Sequence, residues 1–277
     1  ERGGWVLDHQ FIDQMGSPYL LAHGLGKCVA NAKTAVTLPA KGEWHVFVRT
    51  WNWCAPWGVK EGPGLFKVAV NGEQLQNTLG TGEEWGWEYA GCFNAQNKQT
   101  NLELCDLTGF EGRCDALVLS RNQSIALPND AKELKSFRKK ILGLPENPRS
   151  AGKFDIVVVG GGVAGLSTAI KAAREGLKVA IINNRPVPGG NNSSEIRVIA
   201  SGGLNTPPFN SLGNITKEIR NVYEQEAKVL NILETEPNLF YFPNMHVFSA
   251  KMDGEHIVSV SAKHIETSEE LEFFASL

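Results

Sequence analysis

The strongest chemical signal in this 277-residue sequence is a run of six residues with glycine at the first, third and sixth positions. The run is Gly160-Gly161-Gly162-Val163-Ala164-Gly165, which has the spacing G-x-G-x-x-G. In this motif the first glycine allows a tight turn, the second lets the backbone approach a pyrophosphate, and the third allows a helix to pack closely on a strand. The N–H groups and the dipole of the helix that follows favour phosphate binding. We therefore predict a nucleotide-phosphate site at residues 160–165.

The sequence on either side of the glycines predicts the elements that this motif requires. The apolar run Phe154–Val159 precedes it, and its continuity is typical of a parallel-sheet strand that is buried on both faces. Apolar residues at helical spacing follow from Leu166 to Ala173, and Lys178–Ile182 is predicted to be the second strand. The stretch from Phe154 to Gly190 is thus predicted to be a dinucleotide-binding β-α-β unit.

The end of the second strand bears on which nucleotide is bound. An acidic residue there normally accepts hydrogen bonds from the adenosine ribose, whereas this sequence has Asn183, followed by Asn184 and Arg185. The carbonyl oxygen of Asn183 can still accept a hydrogen bond, but the side chain lacks the negative charge that would repel a 2′-phosphate. With Arg185 two residues away, NADP is one alternative for the ligand.

The following stretch, Arg185–Arg197, reads Arg-Pro-Val-Pro-Gly-Gly-Asn-Asn-Ser-Ser-Glu-Ile-Arg. It resembles the segment after the second strand in FAD-dependent oxidoreductases of the fumarate-reductase-like and glutathione-reductase-like superfamily. This resemblance implies that the cofactor is FAD and that the paired glycines lead into a helix beside its phosphates and ribityl chain. Asn191, Ser193 and Ser194 can donate hydrogen bonds without filling the cleft. The alternative interpretation is a turn with an N-capping serine.

A closer resemblance is to a bacterial branch of this family, whose members are described as FAD-dependent oxidoreductases and are sometimes labelled xanthan lyases. It rests on Arg185–Arg197 and on two earlier runs, Leu7–Asp13 and Asp106–Asp115. In such proteins a further strand and a Gly-Asp-Gly-like turn close on the second half of FAD. The sequence stops after Phe274-Ala275-Ser276-Leu277. We therefore expect an incomplete flavin domain that is inactive alone and retains FAD weakly or not at all.

The predicted cofactor-binding residues come from these segments and from the strand-like run 245–252. They are Gly160, Gly162, Val163, Ala164, Gly165, Asn183, Asn184, Arg185, Gly190, Asn191, Ser193, Ser194 and Val247. Catalytic residues stay unknown, because the six histidines are scattered and no nucleophile-elbow motif is present. A bound flavin would then carry the redox chemistry.

The first half of the chain has a different composition and predicts an all-β domain. All seven tryptophans precede residue 90, and Trp44, Val46 and Val48 alternate along one strand face. Phe66, Val68 and Val70 do the same before Asn71-Gly72, a strong hairpin signal. Further strands are predicted at 34–38, 85–93, 101–107 and 116–120. About seven short strands indicate a β-sandwich of the jelly-roll type.

The predicted organisation is therefore multidomain, with an all-β sandwich followed by an α/β Rossmann-like FAD-binding domain. The sandwich spans residues 1–127, a linker with a short helix spans 128–152, and the partial FAD/NAD(P)-binding domain spans 153–277. Within the last domain we predict an amphipathic helix at 214–233 and strands at 239–242, 245–252, 257–264 and 271–274.

Aromatic and charged residues of the first half support a second hypothesis, a carbohydrate-binding module. Trp51, Trp53 and Trp57 could form a sugar-stacking platform, although core burial of most tryptophans is the alternative. A calcium or sugar site at Asp106, Arg113 and Asp115 competes with internal ion pairing. The five cysteines all lie in this half and fit no zinc pattern, so no metal site is predicted.

Composition limits the classes of partner. The formal net charge is −3 with 21% charged residues, which offers no basic field for nucleic acid, and no apolar run is long enough to cross a membrane. We expect a flavin-dependent oxidoreductase of a small-molecule or carbohydrate substrate, exported to the periplasm or the extracellular space. The alternatives are a carbohydrate-binding or polysaccharide-processing accessory protein with a vestigial nucleotide site, and an NADP-binding protein. The oligomeric state is left open.

Overall fold

The computed structural model describes residues 1–15, 17–59, 62–208, 210–211 and 213–276, apart from the side chain of Asp13. The chain divides into two compact units, Glu1–Leu142 and Gly143–Leu277. The boundary falls inside segment 128–152, for which we predicted a linker. A helix of that segment, Ala131–Leu142, lies in the first unit, and the strand Arg149–Phe154 lies in the second.

The described part of the first unit contains ten strands in three antiparallel sheets. The strands are β1 (Trp5–Asp8), β2 (Tyr19–His23), β3 (Ala32–Thr37), β4 (Gly42–Thr50), β5 (Phe66–Val70), β6 (Glu73–Gln74), β7 (Gly86–Ala95), β8 (Gln99–Asp106), β9 (Phe110–Cys114) and β10 (Ala116–Ser120). Their orders in the sheets are β1-β2-β9, β10-β4-β7 and β3-β8-β5-β6. The helices are α1 (Ile12–Met15) and α2 (Ala131–Leu142), with a 3₁₀ turn at Ala55–Trp57.

The alternation read from the sequence explains how these sheets share a core. Trp5 of β1, Val46 of β4 and Phe66 of β5 belong to one buried cluster, so side chains from all three sheets pack together. The hairpin after β5 is also confirmed, because Asn71 and Gly72 have φ values of 51° and 89°, and β6 pairs back on β5. The β-rich character of this unit is thereby confirmed, while its jelly-roll connectivity stays a prediction.

A buried ion cluster joins α2 to the sheets of the first unit. The carboxylate of Asp115 is completely buried, and its Oδ2 lies 3.0 Å from Nη1 of Arg49 and also bonds Arg138 of α2. Burial lowers the pKa of Arg49, and the charge of Asp115 opposes that shift. Asp106 and Arg113 do not join this cluster. Arg113 pairs with Glu111 at 2.7 Å, and Asp106 accepts loop N–H groups instead.

The described part of the second unit contains two sheets and three α-helices. The strands are β11 (Arg149–Phe154), β12 (Ile156–Val159), β13 (Val179–Ile182), β14 (Leu239–Phe242), β15 (Met245–Asp253), β16 (His256–His264) and β17 (Glu270–Ala275), and the helices are α3 (Val163–Arg174), α4 (Asn214–Ile219) and α5 (Glu226–Thr235). β12, β13 and β14 are parallel neighbours in that order. The other sheet has the order β11-β17-β16-β15 and is antiparallel except for the β11–β17 pair. Of the helices described in either unit, none has both the length and the apolarity that crossing a bilayer requires.

The predicted β-α-β unit is present as β12, α3 and β13, but its first strand begins later than predicted. Phe154 ends β11 in the mixed sheet, and Asp155 separates the two strands through hydrogen bonds of 2.8 Å in both directions with the backbone of Lys178. Val159 is 56% exposed, so burial on both faces was wrong for this strand. It fits β13 instead, whose alternate residues enter two separate cores.

The single helix predicted at 214–233 is also wrong, since α4 and α5 are separated by an extended residue and a 3₁₀ turn at Val222–Glu224. Arg220 has φ −60° and ψ 141°, and Asn221 is left-handed at φ 56°. The N–H of Val222 donates to Oδ1 of Asn192 at 2.7 Å instead of to a helical carbonyl. The break thus depends on a residue 30 positions earlier, which helical periodicity cannot reveal.

The buried ion cluster yields a stability prediction for the first unit. Asp115→Asn leaves Arg49 buried without its carboxylate, so we expect the free energy of unfolding to fall by about 3 kcal/mol. Urea denaturation followed by tryptophan fluorescence measures this, because every tryptophan lies in this unit. The control is Lys33→Gln, which removes the half-exposed lysine of an ion pair with Glu103 and should change the midpoint much less. Equal midpoints for Asp115→Asn and the unmodified chain would contradict the prediction.

Candidate dinucleotide-binding site

The glycine turn connects β12 to α3, and each of its three motif glycines has the expected geometry. Gly160 has φ 108°, and its N–H donates to the carbonyl oxygen of Ile182 at 2.8 Å. A methyl group on Gly165 would collide with the carbonyl oxygen of Gly160, so this glycine is required for close packing. A methyl group on Gly162 would meet no heavy atom within 4 Å. The backbone is therefore bare and accessible at Gly162.

The amino end of α3 can bind an anion. Gly162 is the N-cap of this 12-residue helix, no side chain caps it, and no acidic residue lies in its first turn. The first N–H groups of a helix have no intrahelical acceptor, so those of Val163, Ala164 and Gly165 point towards the open space beside Gly162. The helix dipole adds a partial positive charge at the same place. Phosphate oxygens are the natural complement of this arrangement.

The second glycine segment packs directly on the first. The N–H of Gly189 donates to the carbonyl oxygen of Gly161 at 2.7 Å, and Gly190 lies so close to Gly162 that a methyl group on it would be 3.2 Å from that Cα. A methyl group on Gly189 would lie 2.9 Å from Cβ of Val222. Both residues also have positive φ, 111° and 59°. The paired glycines thus bring the two halves of the predicted site together.

Asn183 lies at the end of β13 as predicted, but its amide group has a structural role. The side chain is 2% exposed, and its Nδ2 donates to the carbonyl oxygens of Arg185 and Val187 and to the hydroxyl of Tyr241, at 2.9–3.1 Å. Its Oδ1 accepts no hydrogen bond from the described residues and faces Gly161, where a methyl group would lie 2.8 Å away. Asn183 therefore fixes the loop and leaves one neutral acceptor beside the glycine turn.

Gly161 is a residue that the motif alone did not single out. Its position is one of the variable ones in G-x-G-x-x-G, yet Asn183 excludes any side chain from it. Only the spatial proximity of the strand end and the turn reveals this requirement, so no sequence signal could have identified it.

Tyr241, on β14, is the titratable group in contact with Asn183. Burial is the largest reason that the pKa of its phenol is raised; the hydrogen bond from Asn183 opposes the shift, and the negative charge of Glu226 adds to it. Because the ordinary pKa of tyrosine is already about 10, the phenol is neutral at pH 7. Tyr241 consequently orients Asn183 without adding charge to the site.

The small polar residues after the paired glycines are bound to their own segment. Ser193 is buried, and its Oγ accepts the N–H of Glu195 at 3.3 Å, as in the alternative interpretation of a serine-capped turn. The hydroxyl of Ser194 donates to the carboxylate of Glu226, and Asn191 is exposed. Cofactor contacts by Asn191, Ser193 and Ser194 stay predictions.

Asn192 was not among the predicted residues, yet it connects the segment to the helices. Its Nδ2 donates to the carbonyl oxygen of Val198 at 2.7 Å, and its Oδ1 accepts the N–H of Val222 at 2.7 Å. The side chain is buried, in contrast to that of Asn191. Two adjacent asparagines carry no sequence signal that distinguishes the buried one.

The remaining predicted residues are Asn184, Arg185 and Val247. Nη1 of Arg185 forms an ion pair with Oε2 of Glu195 at 3.0 Å, and Asn184 is half-buried beside it in the chain. Val247 lies on β15, where its side chain packs against the core of the mixed sheet. The register of the β15–β16 pair shifts between Val247 and Ser249. A backbone contact by Val247 thus stays a prediction.

The first unit contains one exposed aromatic candidate. Trp57 is 70% exposed, and its ring stands edge-on to that of Trp53 with centroids 5.7 Å apart. Asn52 holds the loop by donating to the carbonyl oxygen of Val59 at 2.8 Å. Trp5 and Trp44 are buried, as the core interpretation predicts.

The cysteines of the described residues are reduced and belong to no metal-binding cluster there. No group of three or more His, Cys, Asp and Glu side chains is positioned to hold a metal ion in that part of the chain. All five cysteines are free thiols. Three of them, Cys54, Cys105 and Cys114, are buried, and burial raises their pKa.

A pair of glycine substitutions separates binding from folding. Gly162→Ala adds a methyl group to open space at a φ of −71° that alanine adopts freely. We expect Gly162→Ala to keep the native hydrogen-exchange protection of β13. Its affinity for ADP should fall by about tenfold or more, because the methyl group occupies the phosphate position. Gly165→Ala collides with backbone, so it should lose the protection itself. Unchanged ADP affinity in Gly162→Ala would contradict the assignment of this position.

Comparison with known proteins agrees with this geometry. Residues 155–270 match the family described as FAD dependent oxidoreductase. The soluble pyridine nucleotide transhydrogenase of Stutzerimonas stutzeri is 30% identical over 106 residues, which cover 38% of this chain and 20% of that protein. The NADH:fumarate oxidoreductase of Klebsiella pneumoniae is 35% identical over 101 residues, 36% of this chain and 10% of that protein. This chain thus spans a fifth or less of the length of these relatives.

Among solved structures, a family 35 carbohydrate binding module from an environmental isolate is 16% identical and covers 46% of this chain and 94% of that one. The TM-score of this match is 0.33. The family match and the glycine turn both lie in the second unit. Residues 155–270 are thus similar to the FAD-dependent oxidoreductase family, and this similarity supports FAD as the cofactor of the second unit.

Proposed function

We propose that the second unit binds the adenosine diphosphate part of FAD in a flavin-dependent oxidoreductase. The observation that carries the proposal is the bare backbone at Gly162, at the uncapped amino end of α3 and against the paired glycines. A side chain at Gly162 would occupy the space that a diphosphate requires. The residues present therefore fit the cofactor that the family implies.

The roles of the individual residues follow from their hydrogen-bonding capacity. N–H groups of Val163, Ala164 and Gly165 would bind diphosphate oxygens, and Oδ1 of Asn183 would accept one ribose hydroxyl. The amide of Asn183 orients the loop up to Val187. When bound, FAD supplies the hydride and electron transfer, whereas these residues supply position and electrostatics. We assign no described residue to proton transfer, and the substrate is not specified by this site.

This proposal predicts selective recognition of one half of the cofactor. We expect ADP and FAD to bind with dissociation constants within about tenfold of each other, because the shared diphosphate and adenosine make the contacts. FMN lacks the adenosine and should not bind. Isothermal titration of the chain with each of the three ligands measures this, and Gly162→Ala is the control for specific binding. Equal affinity for FMN and FAD would refute the proposed arrangement.

A second candidate function, carbohydrate binding by the first unit, is favoured by the exposure of Trp57. A flat indole in solvent suits the C–H face of a pyranose, and Trp53 supports it from the side. Asn52 of the same loop and Glu83 of the segment before β7 line a cavity that could accept sugar hydroxyls. A carbohydrate substrate for the flavin chemistry, and export of the protein to where polysaccharide occurs, are part of this second proposal.

The carbohydrate proposal predicts a retardation in affinity electrophoresis. Gels containing a neutral or an acidic soluble polysaccharide should slow the unmodified chain, and Trp57→Ala should abolish the shift because the stacking surface is lost. Leu25→Ala is the matched control, since Leu25 is another exposed apolar residue of the same unit. Mobility that is equal in all gels would remove this candidate.

A further inference from the structure

We propose that Glu195 makes the nucleotide site reject a 2′-phosphate by holding the guanidinium of Arg185. This inference rests on the proposed binding of an adenine nucleotide at the glycine turn. It identifies a residue that determines specificity, outside both the G-x-G-x-x-G motif and the end of β13.

The charge at the end of β13 affects which ribose substituents the site accepts. Nucleotide sites of this type use an acidic residue there to bond the ribose hydroxyl, and a nearby arginine accommodates a 2′-phosphate where one is present. Asn183 is neutral, and its Nδ2 is bound to loop carbonyls and to Tyr241. It therefore provides no charge against a 2′-phosphate, although Arg185 two residues later is suited to attract one.

An ion pair between Arg185 and Glu195 spans the segment of the paired glycines. Nη1 of Arg185 lies 3.0 Å from Oε2 of Glu195, and the two side chains are 30% and 36% exposed. Arg185 precedes the paired glycines and Glu195 follows them, so the pair joins the two ends of that segment. It places a carboxylate at the one arginine that adjoins Asn183.

The backbones of both Arg185 and Glu195 are held by hydrogen bonds. The carbonyl oxygen of Arg185 accepts hydrogen bonds from Nδ2 of Asn183 and from the N–H of Asn244. The N–H of Glu195 donates to Oγ of the buried Ser193. The two side chains therefore start from anchored positions, and their meeting follows from the way the glycine segment folds.

The ion pair therefore predicts that the site prefers a ribose with a free 2′-hydroxyl to one with a 2′-phosphate. A 2′-phosphate near Arg185 would have to displace Glu195 or lie beside its negative charge. Like charges about 4 Å apart at a protein surface repel by about 4 kcal/mol before screening by salt, which is enough to set specificity. A ribose with a free 2′-hydroxyl, as in FAD, meets no such repulsion.

The test compares two ligands that differ only in the 2′-phosphate, 5′-AMP and adenosine 2′,5′-bisphosphate, with ADP as the reference for binding. We expect the unmodified chain to bind the bisphosphate about tenfold more weakly than AMP. Glu195→Gln should raise bisphosphate affinity by about tenfold and leave AMP affinity within about twofold, because Arg185 is then free to bind the phosphate. The double variant Arg185→Ala with Glu195→Gln should lose that gain.

A matched control removes the same charge elsewhere. Glu269→Gln breaks an exposed ion pair with Arg149 in the mixed sheet and should leave the ratio of the two affinities unchanged. Circular dichroism verifies that each variant is folded. An unchanged ratio in Glu195→Gln, with ADP still bound, overturns this inference and leaves the proposed function intact. A bisphosphate preference of the unmodified chain overturns it in favour of an NADP site, and failure of ADP to bind overturns the proposed function as well.

Discussion

The second unit is organised around a contact between two stretches of backbone that tolerates no side chain. The N–H of Gly189 donates to the carbonyl oxygen of Gly161, and this bond brings the paired glycines against the turn that begins α3. Asn183 and Val222 lie directly against these two glycines. The phosphate-binding capacity of the helix end depends on this contact, because any larger residue would separate the segments or fill the space between them.

Asn192 extends this constraint to the helical layer. Its buried amide accepts the N–H of Val222, so the interruption between α4 and α5 is part of the same arrangement as the glycine contact. Replacing a helical hydrogen bond by one to a distant side chain keeps the buried N–H satisfied while the chain changes direction. Val222 then packs in the core with α3 and β13. Asn192 thus couples the helices to the nucleotide loops.

The features that were predicted correctly from the sequence depend on interactions between residues close together in the chain. Glycine conformations at Gly160 and Gly165, the turn at Asn71-Gly72 and the alternation along β5 follow from steric rules that act over a few residues. The division at Asp155, the inward orientation of the Asn183 amide and the burial of Asn192 rather than Asn191 follow from partners far along the chain. Periodicity and motif spacing contain no information about those partners, so the strand start, the helix break and the role of Gly161 could not be predicted.

The position of β12 has a consequence for how the protein must be handled. In the described part of the parallel sheet, β12 has a neighbour only on the β13 side, and Val159 at its end is largely exposed. The opposite edge presents a row of backbone donors and acceptors next to apolar side chains, which is the template that a further strand adds to. Because pairing of two copies at this edge is bimolecular, dilute solutions favour the separate molecule.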